Sequence, residues 1–410
     1  MGRGRAYATS SPLHLLNVPA GRMSAFSGEP AHFLDHARER DPAAAPGDFL
    51  PRALYGGYVQ EILDREARAA EGRIEVTLDE VVDLDPLDRG LRATFASGAA
   101  RDARAVVLAT GHPLPPPPLA LTTAVTGSGR YREDPWDHGA VEQLSDDAEL
   151  LLIGGGLTAI DVIVEARRLG FRGTIRVVSR RGLLPAVHQP PPADLSAPSL
   201  VFRDRRVRAM LRTVRLAIRD ATWRVVIDSL RPVTQDLWRS LPIQEKRRFL
   251  RHVRAYWDVH RHRVAPAMFT RLEEELARGT VVRHAARIVG MEAEPDGLGV
   301  AIRPRGGSET RRFHVQRVIN CTGPNTGIEM CGSRLTKALL AKGVCRADAV
   351  GIGLACDPHG AVLNSSGTVS DRLYAVGPLR KGELWESTAV PELREQAERV
   401  ARRVLENART

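Results

Sequence analysis

Several things are scarce in this 410-residue chain, and each scarcity closes a door. Aromatic residues make up only 5%, beside 43% hydrophobic and 26% charged residues, a composition that excludes disordered and collagen-like chains. No stretch approaches the roughly 18 uncharged apolar residues that a membrane-spanning helix needs. The opening Met1-Gly2-Arg3-Gly4-Arg5 has no apolar region behind it, so it does not read as a signal peptide. The four cysteines, Cys321, Cys331, Cys345 and Cys356, form no CxxC pair. Neither a zinc cluster nor a redox dithiol is expected, and a reduced, cytoplasmic setting fits. His252, His260 and His262 have no carboxylate or cysteine at ligand spacing, so no metal is expected. The net charge of +10 comes without any arginine-aromatic recognition motif. The arginines are spread along the chain and read as a solvated face, with a few available for an anionic cofactor, so nucleic acid is not an expected partner. No nucleophile-base signature stands out either.

What is present is concentrated at residues 149–181. The apolar run Leu150-Leu151-Leu152-Ile153 is short enough for a buried parallel strand and runs into Gly154-Gly155-Gly156. A helical stretch follows, with Ile160, Ile163, Val164 and Ala166 on one side and Gly170 as its stop. Thr174 to Val178 reads as a second β-branched strand. Strand, glycine turn, helix and strand within about 30 residues is the pattern of a dinucleotide-binding βαβ unit. Gly154 permits the tight turn, Gly156 lets backbone approach a pyrophosphate, and Ala159 lets helix and strand pack closely. The free amides of the helix tip, at Gly155, Leu157 and Thr158, then face the phosphates. At the end of the second strand an acidic residue would select a ribose 2′-hydroxyl, but Ser179-Arg180-Arg181 stands there. Two guanidiniums and a hydroxyl suit a 2′-phosphate, which favours NADP over NAD.

Elsewhere the chain echoes itself. Residues 73–100 read as a β-meander, with Ile74, Val76 and Leu78 alternating, then Leu91, Ala93 and Phe95, around a turn at Asp88-Arg89-Gly90. A short strand, Ala105 to Leu108, runs into Thr110-Gly111. Residues 286–316 repeat the plan, with a hairpin signal at Asp296-Gly297, and the strand Arg317 to Asn320 runs into Thr322-Gly323. Pro113 and Pro115 to Pro118 read as an extended linker. Residues 201–278 read as a helical block packed on the core, with Val207, Met210, Leu211, Val214 and Ile218 at helical spacing, and Phe249, Leu250, Val253, Tyr256 and Trp257 likewise.

Several stretches together resemble bacterial FAD/NAD(P)-binding flavoproteins related to FAD-dependent urate hydroxylase and L-aspartate N-monooxygenase. They are Gly2 to Tyr7 with His14 to Ser24, Phe49 to Arg52 with Tyr55-Gly56-Gly57-Tyr58, Asp134-Pro135-Trp136, Tyr374 to Pro378, and Trp385 to Gln396. The resemblance implies FAD and NADPH held by two Rossmann-like units, hydride transfer to the flavin, and use of oxygen to hydroxylate a substrate. It implies that Asn17, Val18, Pro19, Arg22 and Ser24 lie along the FAD. It further implies that Thr110, Gly111, Gly377 and the helix start at Ser387, Thr388, Ala389 and Val390 meet the flavin. The family opens with a strand, glycine turn and helix that have no counterpart before Gly2. An FAD sheet without that strand leaves backbone groups unpaired, at about 1–3 kcal/mol for each buried one, so weak FAD affinity is expected.

The expected fold is therefore α/β. It has two Rossmann-like dinucleotide-binding domains with β-meanders, the first lacking its opening βαβ unit, plus a helical insertion at about 201–278. The FAD domain is expected at 1–126 and 324–410, and the NADP domain at 127–323. The expected function is an FAD- and NADPH-dependent oxidoreductase, a monooxygenase of a small polar substrate that also uses oxygen. Two alternatives are a degenerate NADP-binding module without FAD or catalysis and an electron-transfer reductase. Arg52 and His188 are candidates to face a substrate pocket.

Overall fold

In the computed structural model, which describes residues 2–137, 139–190, 198–323, 327–330 and 333–409, the strands form three sheets. Cys331 lies outside the described residues. The first sheet is an antiparallel meander of β1 (Val81–Leu87), β2 (Gly90–Phe95) and β3 (Ala100–Ala103). Its turn falls where Asp88-Arg89-Gly90 places it, with Leu87 opposite Gly90. Its first strand, however, is not the one expected. Residues 74–78 form no strand, and Ile74, Val76 and Leu78 are exposed, Leu78 at 90%. In β1, Leu84 is buried while its neighbours Asp83 and Asp85 both meet Lys342. Alternation is the real strand signal here, but its polar half is charged, and the more β-branched run upstream was the better-looking strand.

After β4 (Val106–Leu108) the chain enters a seven-stranded sheet. Its members are β5 (Tyr131–Arg132), β6 (Leu150–Ile153), β7 (Ile175–Ser179), β8 (Val281–Glu294), β9 (Gly297–Pro304), β10 (Arg311–Val315) and β11 (Arg317–Asn320). The order is β10-β9-β8-β7-β6-β11-β5, parallel from β8 to β5 and antiparallel at the β9 and β10 edge. Leu150 to Ile153 are all buried, as a central parallel strand covered on both faces requires. The strand order reverses between β6 and β11, the place where open α/β sheets form a crevice at their carboxyl ends. The β8–β9 hairpin turns at Pro295-Asp296, with Glu294 opposite Gly297.

The third sheet has β13 (Val369–Ala375) between β12 (Ala361–Leu363) and β4, the last pair being parallel. Thr-Gly follows both β4 and β11, and Gly111 (φ +65°) and Gly323 (φ +81°) both take the left-handed conformation.

The helices frame these sheets. They include α1 (Arg52–Ala69), α2 (Leu157–Arg168), six in the insertion, then α9 (Arg334–Ala341) and α10 (Val390–Arg409). The insertion holds α3 (Val207–Asp220), α4 (Trp223–Ser229), α5 (Thr234–Ser240), α6 (Ile243–His252), α7 (Arg254–Arg261) and α8 (Pro266–Ala277). Helix α2 lies over β6 with Ala159 and Ile160 fully buried. Gly170 (φ +96°) follows its end as the sequence requires. No helix among the described residues is long and apolar enough to cross a membrane.

Candidate functional site

The glycine turn sits at the reversal point of the large sheet. Gly154 has φ +106°, and a side chain there would place its Cβ 2.5 Å from the Cys321 carbonyl oxygen at the end of β11. Only glycine fits that approach. A Cβ on Gly155 would lie 2.8 Å from the Leu183 carbonyl oxygen, which makes this second glycine sterically obligatory as well. Gly156 caps α2 with no side-chain partner, and a Cβ there would meet nothing within 4 Å. The tip of α2 therefore opens onto free space at Gly156, with Leu157 and Thr158 forming its first turn. The Ser179 hydroxyl accepts from the Gly182 N–H at 3.1 Å and so shapes the loop that carries the two arginines.

Beyond the ends of β7 and β11 lies a cavity of about 850 Å³ lined by Arg180, Arg181, Arg251, Arg254, Arg287, Arg303 and Arg305, together with Thr322 and Gly323. Asp258 is its one acidic residue. Of the seven arginines only Arg254 has a carboxylate partner among the described residues, with Asp258 at 3.4 Å. Arg181 is held in place by its bond to the Arg251 carbonyl oxygen (3.2 Å) and by the Tyr256 ring 5.6 Å away. Partial burial and the fields of Arg181, Arg254 and Arg287 push the Arg180 guanidinium below its ordinary pKa. So many like charges facing one hollow give it a field that favours an anion. Sequence reasoning found Arg180 and Arg181. It missed Arg251, Arg254, Arg287, Arg303 and Arg305, because the insertion and the β8–β9 hairpin bring them in from distant segments.

The remaining candidates collect at the tip of α10. Val390 packs in one apolar cluster with Leu16, Ala20, Met23, Tyr55 and Tyr58, with Val18 against it. Arg394 donates to the Ser24 carbonyl oxygen at 3.1 Å. This sets the loop that carries Asn17, Val18, Pro19, Arg22 and Ser24 against the first turns of α10 at Val390 and Arg394. Arg22 shares a hollow with Glu386 and Pro391. Ser24 is fully buried, and its hydroxyl is spent within its own loop, on the backbone of Phe26. Gln396 ties the two C-terminal segments together. It accepts from the Gly377 N–H (2.9 Å) and donates to the Ser387 carbonyl oxygen (3.0 Å). Thr110 and Gly111 stand apart from the N-terminal loop and line a hollow of about 140 Å³ with Pro378 and Leu379.

Two candidates turn out to be braces. Arg52 is buried, donates to Asp161 Oδ2 on α2 (2.7 Å) and to the Leu15 carbonyl oxygen (2.9 Å), and stacks on Trp136. His188 Nε2 donates to the Asn17 carbonyl oxygen at 3.1 Å, and burial holds its pKa down at about 4. Both side chains use their polar atoms to join the N-terminal loop to the large-sheet region.

Between the α10 tip and the insertion lies a polar cluster that the sequence did not reveal. Burial pushes the Glu386 carboxyl up, yet Arg261, His262 and the Trp257 indole N–H, which donates to it at 2.9 Å, hold it below the usual range. The Lys381 ammonium makes no hydrogen bond or ion pair with a described residue; its Nζ lies 5.1 Å from the Trp385 ring centroid. Desolvation, with help from Arg254, brings its pKa down to about 8. Trp385 itself has φ +61° and ψ −65°, and the Glu386 N–H donates across it to the Leu384 carbonyl oxygen at 2.8 Å. Such a γ-turn in a buried tryptophan costs about 1–3 kcal/mol, so the surrounding packing enforces it. Trp385 Nε1, Ser387 Oγ and Arg261 Nε are buried without hydrogen-bond partners, while Arg261 Nη2 faces Glu386 Oε2 at 3.4 Å. Three buried polar groups so close together each call for a partner.

Comparison with known proteins shows a likeness of fold. Residues 1–113 match a protein-family profile described as FAD-NAD(P)-binding. No curated protein sequence matches the chain. Among solved structures, ornithine hydroxylase from Pseudomonas aeruginosa aligns over 99% of this chain and 89% of its own, with 16% identity and a TM-score of 0.66. L-lysine 6-monooxygenase from Pseudomonas syringae aligns over 98% and 88%, with 16% identity and a TM-score of 0.66. Ornithine N-hydroxylase from Kutzneria, solved with reduced FAD, NADP+ and L-ornithine, aligns over 99% and 90%, with 15% identity and a TM-score of 0.64. At these identities the likeness is one of fold, and the fold is the α/β one of two-domain flavoproteins with Rossmann-like units.

Proposed function

We propose that this chain is an FAD- and NADPH-dependent oxidoreductase of the monooxygenase type, acting on a small organic substrate with oxygen. The observation that carries this reading is the arginine-lined cavity beside the open tip of α2. In this reading Arg180 and Arg181 grip the 2′-phosphate and Arg254 and Arg287 supplement its field, while the amides at Gly155, Gly156, Leu157 and Thr158 take the pyrophosphate. The FAD would lie along Asn17 to Ser24, Thr110, Gly111, Gly377 and the α10 tip from Ser387 to Val390. The orphaned Ser387 hydroxyl and Trp385 indole fit an acceptor-rich ring there. When bound, the flavin supplies the hydride and oxygen chemistry. The protein orients the two nucleotides, excludes water, and holds a proton on Lys381 Nζ that can be released near neutral pH. Residues 1–126 with 324–410 form the FAD unit in this reading, and 127–323 the NADP unit. The neighbours act on ornithine and lysine. The likeness to urate hydroxylase and aspartate N-monooxygenase rests on the quoted sequence stretches, and a cytoplasmic setting on the cysteine pattern.

Purified protein should carry, or take up, the visible band of an oxidised flavin and oxidise NADPH. Arg180→Ala with Arg181→Ala should weaken NADPH binding at least about ten-fold more than NADH binding. Equal losses for both would refute the 2′-phosphate assignment. One observation favours the second reading, an NADP-binding module without FAD: β4 is three residues long and, among the described strands, pairs with β13 alone. Colourless protein that resists reconstitution yet binds NADPH would decide for it.

A further inference from the structure

The helical insertion holds a hollow that shares no lining residue with the arginine-lined cavity. About 440 Å³ in volume, it is walled by Trp223, Trp238, Phe249, Tyr256, Trp257 and Trp385, and its surface is almost wholly apolar. Helix α3 forms one side. Met210, Leu211, Val214 and Ile218 all face this hollow, yet of the residues of α3 only Val207 is buried. An amphipathic helix normally presses its apolar stripe against a packed core. Here the stripe borders empty space, and lining atoms without partners on one side forfeit their dispersion contacts. The polar groups at the lining include Arg215 and His252, both exposed, and neither has a hydrogen-bond or ion-pair partner among the described residues. The volume lies in the range of small-molecule pockets. An apolar body with basic groups at its opening calls for a ligand built the other way round.

We propose that this cavity binds an amphipathic organic anion, with its alkyl or aryl body inside the insertion and its carboxylate at Arg215 and His252. The aromatic walls supply most of the affinity through desolvation, and Arg215 supplies the discrimination between a charged and an uncharged head. Trp385 is part of the wall, so a bound body meets the residue that leads into Glu386 and Ser387. The site stands whether or not the chain carries flavin, because its lining comes almost entirely from the insertion.

The test uses the full chain and decanoate as probe, followed through tryptophan fluorescence. Four of the five tryptophans line the cavity, so occupancy must change the signal. One saturable site per chain is expected, with decanol at least about ten-fold weaker. Arg215→Glu lies on an exposed turn of α3 and leaves the fold intact. It should weaken decanoate by about ten-fold and leave decanol unchanged. Met210→Trp, checked for native circular dichroism, fills the hollow and should abolish binding of both. The proposal is overturned if decanoate gives no saturable change, if decanol binds as tightly, or if Met210→Trp binds decanoate like the parent chain. It is equally overturned if light scattering shows a second copy seated on α3, lost on Leu211→Arg, because the hollow is then an interface.

Discussion

In the large-sheet region the glycine turn, the helix tip, Arg180 and Arg181 all lie within residues 154–181. Around β13 the corresponding candidates come from residues 17–24, 110–111 and 377–390; Val390, Gln396 and Arg394 tie the first and last together, and Thr110 and Gly111 share a hollow with Pro378. The first arrangement is a local motif whose backbone geometry is fixed by its own strand-turn-helix. The second is an assembly whose members depend on the packing of chain segments more than 300 residues apart, as in the Arg394 bond to Ser24. A local motif tolerates losses elsewhere, whereas an assembled site fails with any of its braces.

The largest effect should come from cutting the brace between the two regions. Arg52→Leu leaves Asp161 buried and unpaired, and should destabilise the chain by about 3–5 kcal/mol in urea unfolding. Arg52→Leu with Asp161→Leu should recover most of that loss. If the single variant is nearly neutral, the two regions are not coupled through this pair.

Next comes the glycine turn, where two neighbouring positions should behave oppositely. Gly154→Ala forces a Cβ against the Cys321 carbonyl oxygen at a left-handed φ, and should cost about 2–3 kcal/mol of stability. Gly156→Ala has room for its methyl group in the free chain. It should leave the melting temperature nearly unchanged while weakening NADPH binding about ten-fold, because the methyl group stands where a diphosphate would approach. Unchanged NADPH affinity in Gly156→Ala would show that the tip is not the phosphate seat.

The assembled region should reveal itself by its pH dependence. Lys381 titrates at about 8 in the fold, against 10.5 unperturbed. Between those values the unfolded chain holds the extra proton, so this residue's contribution to stability rises with pH through that window. Lys381→Met should therefore stabilise the chain at neutral pH, by about 1–3 kcal/mol, and remove that rise from a denaturation series. A destabilised variant would mean the ammonium is paid for by contacts rather than merely tolerated.

The smallest effect concerns His188, neutral in the fold with a pKa of about 4 against 6.5. Here too the unfolded chain binds more protons, so stability falls as pH drops from about 6.5 towards 4. His188→Gln should flatten that acid limb by about 1–2 kcal/mol, the full shift being discounted for partial exposure.

How much was legible follows from particular residues. Leu150 to Val178 could be read because periodicity, glycine spacing and β-branching all pointed the same way over a short span. The strand Val81–Leu87 could not, because Asp83 and Asp85 look like loop residues until Lys342 is brought across to them. Arg52 and His188 were noticed, but their partners Asp161 and Asn17 lie far off in sequence, and a brace cannot be told from a site residue without its partner. Lys381 and Glu386 carried no local signal at all, because what marks them is desolvation.

The sequence by itself determined the βαβ unit and the pair of guanidiniums beyond it, because turn geometry and helix-tip charge are properties of consecutive residues. Only the tertiary structure decided that five more arginines face the same cavity, that the α10 tip meets the Asn17 loop, and that the insertion is hollow. Burial, field strength and empty volume depend on which distant segments come to lie side by side, and no window of neighbouring residues contains that information.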